Sequence, residues 1–359
     1  MFFTTLAPTT EADHLRCLIH SRRQNFSENT GKCLIYRECL VELLPRVTEA
    51  KLESPWLVSV SALGKSPAFL EWKVEPLAEV TIGIPVYNGE AQLPECLACI
   101  VNQSFQDIEI LIYDNASTDR TQSIIEEFAA RDHRIKYIRR PENVGAFRNF
   151  SDPLNHATTP YFMWRAHDDL SSLNYVEKLV AALKRESGTC LAAGTIQFER
   201  TEGHRIQRIS PTTHRHSVAL LDILSLMFGS HAGWFYGLWD TLTIQKLASR
   251  IWEEFPHAWS ADHLTLYPNF LDRQVAMVPD AVFIQRETPK AYGPRPGQRQ
   301  PLEDLIELRR KFRIYCDNLV DERDFDPFTR VALKIANRAY AGKRVYPMRK
   351  IIKRTLFRY

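Results

Sequence analysis

The sequence predicts an α/β fold built on a mostly parallel sheet, and two observations carry that reading. From Val80 onward, short continuous apolar runs of strand length alternate with amphipathic stretches of helix length. The runs lack the in-out alternation of a strand with one wet face, so helices must cover the sheet on both sides. A third observation locates the chemistry: polar and acidic residues gather just after the strands, where open parallel sheets hold their ligands.

The first strand is "VTIGIPV" (80 to 86), stopped by Asn88 and Gly89. A helix follows over 91 to 103, with Leu93, Cys96, Leu97 and Ile100 on one face. "IEILIYD" (108 to 114), "IKYIRR" (135 to 140) and "YFMW" (161 to 164) are the next strands, separated by helices near 119 to 131 and 145 to 157. A helix over 172 to 186 leads to the strand "CLAAGTIQF" (190 to 198). Further helices are expected over 302 to 318 and 326 to 341. Residues 1 to 78 carry helical patterns without strand alternation, 79 to 290 the alternating domain, and 291 to 359 a Pro- and Gly-rich linker followed by a helical basic region.

Composition narrows the function classes. With 45% hydrophobic and 25% charged residues the chain is an ordinary globular protein, and a net charge of +3 gives no reason to expect a nucleic-acid partner. The longest apolar run, Val218 to Phe228, is shorter than the ~18 residues that span a bilayer. The N-terminus has no basic segment leading into an apolar core, so no secretory signal is expected. Seven scattered cysteines suit a reducing, cytoplasmic setting, and Cys96 and Cys99 read as helix packing because no second pair or nearby histidine completes a zinc site. The tail from 342 to 359 mixes seven Lys or Arg with Ile351, Ile352, Leu356 and Phe357, a pattern suited either to a solvated helix or to peripheral contact with the inner face of an anionic membrane.

Several common motifs are missing. "ALGKSP" has Ser59 where the phosphate-binding loop requires its first glycine, no G-x-G-x-x-G follows the first strand, and there is no G-x-S-x-G elbow. What is present lies at the strand ends: Pro85, Tyr87 and Asn88 after the first, Asp114 and Asn115 in "DNASTD" after the second, and His167, Asp168 and Asp169 in "WRAHDDL" after the fourth. Two neighbouring carboxylates at the mouth of a buried strand are costly unless a cation or donors neutralise them. An aromatic ring stacks on a base, Asp or Asn bonds base or ribose edges, and carboxylates hold a metal that bridges phosphates. Arg148 in "NVGAFRNF" adds a charge-assisted contact to a diphosphate.

The stretch from "VTIGIPVYNGEAQ" through "NVGAFRNF", continued by "PYFMWRAHDDLSSLNYVEKLVAAL", resembles the nucleotide-binding half of glycosyltransferase family 2 in order, spacing and strand placement. The likeness is close over about 80 to 200 and looser over 230 to 287. It implies a GT-A type three-layer sandwich. It also implies an inverting transfer of sugar from a nucleotide-diphosphate donor of UDP, dTDP or GDP type to a glycan or lipid-linked acceptor, assisted by Mg or Mn, in surface polysaccharide or glycoconjugate synthesis. On that resemblance Pro85, Tyr87 and Asn88 line the base and ribose pocket, and Asp114 and Asn115 match an acidic pair in which Asn115 departs from the usual aspartate. Asp168 matches the metal-contacting aspartate, Asp169 stands beside it, and Ala166 occupies a position where another aspartate is common.

The same resemblance makes Asp262 in "WSADHLTL" the base that deprotonates the acceptor, with His263 as its local competitor. It places Trp234, Gly237 and Trp239 of "GWFYGLWD" beneath the acceptor, the glycine letting substrate approach the backbone and the indoles either stacking on sugar or packing in the core. Arg286 falls near the diphosphate, followed by a loop able to close over the donor. A non-catalytic sugar-nucleotide scaffold of the same fold and a sugar nucleotidyltransferase are the competing readings. The second would want basic residues in a glycine-rich first loop, and "PVYNGEAQ" has none.

Overall fold

The computed structural model describes residues 78–200, 207–211, 216–255, 257, 260–287 and 301–357. The helical reading of the N-terminal residues to 77 and the loop over 288–300 fall outside the described residues. Nine strands form one sheet in the order β3-β2-β1-β4-β8-β6-β9-β5, with β7 pairing only with β6. The first half is the alternation expected from the sequence: β1 (Val80–Val86), α1 (Leu93–Val101), β2 (Ile108–Asp114), α2 (Thr121–Ala129), β3 (Ile135–Arg139), α3 (Ala146–His156) and β4 (Tyr161–Trp164). β1 is buried along its whole length because it lies between β2 and β4, parallel to both, under helices on both sides. β3 is the edge strand, and its exposed Lys136 and Arg139 are charges of the kind that discourage further pairing.

The second half is mixed. The chain runs through β5 (Leu170–Ser171), α4 (Tyr175–Arg185), β6 (Leu191–Arg200), β7 (Gln207–Ile209), α5 (Ala219–Gly229), a 3-10 turn (Ala232–Tyr236), β8 (Leu238–Asp240), α6 (Thr241–Glu254), α7 (Ala261–Leu271) and β9 (Val275–Glu287). β8 is antiparallel to both β4 and β6, so β6 and its parallel partner β9 run in the same direction as β1 and β4. α7 leads into the start of β9, and its first turn is tied through Arg344 to Ser230, whose neighbour His231 has its ring 5.1 Å from that of Phe198 toward the carboxyl end of β6.

Three helices close the chain: α8 (Leu302–Asp321), α9 (Pro327–Arg344) and α10 (Met348–Phe357). α9 begins with the Asp326 carboxylate accepting from the Thr329 N–H and with Pro327 in its first turn, a regular start signal. α8 and α9 join the main core through Phe312, Leu319, Leu333 and Tyr340, and the Tyr267 hydroxyl of α7 donates to Asn337 at 2.7 Å. At the far end of α9, Arg344 donates to the Met227 and Ser230 carbonyls that α5 leaves open, a cation on a helix C-terminus. Among the described residues no helix is long and apolar enough to cross a membrane, and the run from Val218 to Phe228 is the half-buried α5.

The β6–β9 pair slips register between Gly194 and Thr195, where a Cβ on Gly194 would stand 2.3 Å from the Ala281 carbonyl oxygen. Backbone cannot yield as a side chain can. Gly194→Ala is therefore expected to lower stability by about 1–3 kcal/mol, read as a reduced urea midpoint at unchanged slope; an unchanged midpoint would mean the two strands separate freely there.

Candidate functional site

The carboxyl edge of the sheet is laced together before any ligand is considered. In the β1–β2 pair Val86 stands opposite Asp114, and the Asn115 N–H donates to the Val86 carbonyl. The loop after β1 then locks onto the loop after β2: Asn88 N–H donates to Ser117 Oγ at 2.9 Å, Thr118 N–H to Asn88 Oδ1 at 2.8 Å, and Gly89 N–H to Thr121 Oγ1 at 2.8 Å. Asn88 and Ala116 sit at φ 51° and 61°, and Ser260, just before Asp262, at 69°. Non-glycine residues in the left-handed region cost of order 1 kcal/mol and concentrate where function needs a particular backbone.

Asp114 and Asn115 are the organisers of this edge. Asp114 is wholly buried, its Oδ1 accepting from the Ser117 N–H and its Oδ2 from the Tyr137 hydroxyl, with Arg139 3.8 Å away. Asn115 accepts from the Val144 N–H at 2.9 Å and donates to Asn143 at 2.8 Å, so its amide already holds the loop before α3. Pro85 is buried within β1, opposite Tyr113. Tyr87 is different: the residue is 43% exposed, and its ring is the large flat surface this loop presents. Asn149 ties α3 to the Val86 and Tyr113 carbonyls, while its neighbour Arg148 is exposed.

The turn after β4 crosses from the middle of the sheet to its far edge. β5 begins at Leu170, pairing with Ile284 of β9, and the Arg286 backbone N–H donates to Asp169 Oδ1 at 3.0 Å. The Arg286 guanidinium bonds the Asp168 carbonyl and Glu95, so β9 clamps the turn against the start of α1. Cys96 places its sulfur 3.4 Å from the Ala166 carbonyl and Cys99 its own 3.4 Å from that of Ser171; both thiols are free and pack beneath the turn, as read from the sequence. The His167 ring crosses the face of Gly89, where a Cβ would come within 2.8 Å, and this brings the β4 turn against the β1 loop.

Electrostatics at the turn follow from burial. Burial first, and the Asp168 charge second, push the Asp169 carboxyl up to about 7, against the pull of the Arg286 N–H and of Arg165. Burial likewise lowers the His167 imidazole, opposed by Asp168 and Asp119. Arg165 was not anticipated as a functional position. It is fully buried, its Cζ 4.9 Å from the Phe283 ring centroid, with one nitrogen donating to Ser171 and with Nε and Nη1 lacking hydrogen-bond partners among the described residues. A charged residue inside the apolar run before the acidic pair was the visible signal.

Asp262 lies in the first turn of α7, at the same edge of the sheet. It accepts from the His263 N–H at 2.7 Å, and burial raises its carboxyl above the ordinary range while Arg344 opposes the shift. His263 is buried with Nδ1 unpartnered among the described residues, and burial holds it well below the usual imidazole range. Ser260 donates to the Arg344 carbonyl at 3.0 Å, so α9 fixes the backbone from which Asp262 projects.

The acceptor residues expected from the sequence require correction. Trp234 and Trp239 are both buried, and the Trp239 indole donates to the Phe235 carbonyl, so neither has a face to offer a sugar. Gly237 makes room for the neighbouring strand, since a Cβ there would stand 2.4 Å from the Ala192 carbonyl oxygen. Aromatic residues in this segment support the sheet edge from below: Phe235 stacks on Trp164 with ring centroids 4.2 Å apart.

Residues 81–243 match the family model described as Glycosyl transferase family 2, and this part of the chain is a glycosyltransferase family 2 domain on a GT-A type fold. The glycosyltransferase GlyA of Streptococcus pneumoniae is 33% identical over 125 residues, 35% of this chain and 18% of GlyA. GlyG of the same organism is 24% identical over 125 residues, 35% of this chain and 42% of GlyG, so the matched stretch spans less than half of either relative. Among solved structures, residues 1–349 of S. aureus TarS in complex with UDP-GlcNAc superpose with a TM-score of 0.56 at 15% identity, covering 74% of this chain and 73% of that one.

The raised carboxyl of Asp169 has a sign. A group protonated more readily when folded than when unfolded contributes stability below its unfolded value of about 3.9, and loses it as pH rises through about 7. In metal-free buffer, folding free energy is expected to fall across that window by at most about 1.4 kcal/mol per pH unit. Asp169→Asn is expected to remove most of the slope in urea titrations run from acid to neutral pH; an identical slope in the variant would place the proton elsewhere.

Proposed function

We propose that this chain transfers a sugar, with inversion, from a nucleotide-diphosphate donor to a hydroxyl of a glycan or lipid-linked acceptor. One observation carries the reading: an exposed aromatic ring, a clamped pair of adjacent carboxylates and a separate carboxylate of raised basicity occupy the same edge of one sheet. Tyr87 offers its face to the base, and Asn88 and Arg148 flank the ribose and diphosphate. Asp262 accepts the proton of the acceptor hydroxyl as that oxygen bonds to the anomeric carbon and the bond to the diphosphate breaks, the electron pair leaving with phosphate. Burial makes Asp262 a stronger base than an exposed aspartate, which suits that role. TarS, crystallised with UDP-GlcNAc, supports a sugar nucleotide as the class of donor for this fold.

The residues at the β4 turn fit a divalent cation shared with substrate. Two adjacent carboxylates, one buried and pushed toward neutrality by the other's charge, favour an added cation. No group of three or more His, Cys, Asp or Glu among the described residues forms a complete cage, so phosphate oxygens and water would complete the coordination. Asp168, with Asp169 behind it, would hold Mg or Mn, which supplies charge neutralisation to the departing diphosphate. The acceptor class places the reaction in surface polysaccharide or glycoconjugate synthesis at the cytoplasmic face of a membrane. α10 supports peripheral contact there, exposing Arg349, Lys350 and Lys353 beside Met348 and Ile352. A donor-binding scaffold that performs no transfer is the second reading, and Ala166 favours it by leaving the turn one carboxylate short of the pattern the family resemblance implies.

Calorimetry and turnover separate these readings. With UDP-sugars and Mn, Asp262→Asn is expected to bind donor as the parent does while transfer falls by about 10²–10⁴-fold. Asp168→Asn is expected to lose the Mn-dependent part of donor binding itself. Full transfer by Asp262→Asn would remove the base, and donor binding by the parent chain without turnover on any acceptor would leave only the scaffold.

A further inference from the structure

α9 has a buried face and, opposite it, a second apolar face that nothing in the described structure covers. Leu333, Asn337, Tyr340 and Ala341 pack inward against the domain. On the outer side Phe328, Val331 and Ile335 are 75%, 58% and 62% exposed. Ala332 and Ala339 extend this stripe at spacings of three, four and seven residues, the repeat by which one helix receives another, and the Arg309 guanidinium of α8 borders it at Gly342. Three large apolar side chains in line form a patch, whereas scattered single ones need no explanation.

The charges at the two ends of the stripe are opposite. Asp324 and Asp326 are exposed just before Phe328, and the other end carries exposed Arg338, which makes no side-chain hydrogen bond or ion pair among the described residues. Nearby Lys334 is already committed to Asp321. An anionic bilayer would repel the acidic end, and a parallel pairing would set like charges against each other. An antiparallel pairing matches both ends at once and opposes the two helix dipoles.

We propose that two copies of this chain associate through α9, antiparallel about a twofold axis near Leu333, in an interface that is the same patch on both sides. Val331 of each copy then packs against Ile335 of the other, and Phe328 falls beside Arg338 and Ala339. Asp326 lies about two residues, ~3 Å along the axis, from the other copy's Arg338, within reach of its side chain. The pairing is separate from the donor chemistry and makes no use of its residues.

Sedimentation equilibrium of the full chain across the micromolar range tests it. The parent is expected to dimerise, and Ile335→Asp, at an exposed site, to be monomeric with unchanged circular dichroism and melting; Val331→Lys is a second disruption of the same kind. Arg338→Asp and Asp324→Arg are each expected to weaken the dimer by about tenfold through repulsion across both symmetric contacts. The double variant is expected to recover part of the parent's affinity, Asp326 still facing the carboxylate at 338, a rescue only an antiparallel pairing of these ends provides. A parent monomeric throughout, or a dimer indifferent to Ile335→Asp, would overturn the proposal. So would a monomer that floats with phosphatidylglycerol vesicles and loses that binding in Ile335→Asp, since the stripe would then belong to lipid.

Discussion

The bond from the Arg286 N–H to the Asp169 carboxylate joins two parts of the sheet that the chain visits more than a hundred residues apart. Without it the turn after β4 would be a loop with two repelling charges. With it, the turn is drawn across to β9, β5 forms, and Asp168 is held at a defined place above the strand ends. The same arginine's side chain anchors the start of α1, so the strand that finishes the sheet also braces the helix that begins it. The carboxylate pays for its burial in basicity, and the clamp limits the cost.

Around this clamp the site divides its labour. The buried polar residues at the strand ends, Asp114, Asn115 and Asn149, satisfy backbone and loop groups, leaving the surface to Tyr87, Asn88 and Arg148. The bonds made by Asp114 and Asn115 stiffen this platform, because each donor and acceptor so engaged has a fixed partner to lose. Two left-handed non-glycine residues in the same loops are held by those bonds. The segment bearing Asp262 is built otherwise, from α7 and its neighbours, with a carboxylate whose nearest polar support is its own helix turn.

How much of this was legible differs between the halves of the domain. β1 through β4 and their helices could be read directly because each strand is a continuous apolar run and each helix has a clean apolar face. The second half resisted because β8 is three residues long and β5 two, too short for any periodicity to show. Trp234 and Trp239 illustrate the limit for site residues: an indole near a glycine suits a sugar platform or a core equally, and only burial decides. Asp114 and Asn115 were visible as a polar pair at a strand end, but that their oxygens were already engaged by Ser117 and Val144 depends on loop geometry no spacing encodes. Arg286 was noticed as a cation near the site, while its role as a clamp required knowing that β9 ends beside α1.

The hydrogen bond from Ser260 to the Arg344 carbonyl ties the segment bearing Asp262 to the last turn of α9, well beyond residue 243 where the family match ends. On the proposed roles, donor handling and acceptor activation are thus written in different stretches of the gene. Recombination that exchanged the carboxyl-terminal helices could retune which hydroxyl is glycosylated while the sugar-nucleotide half passed down unaltered.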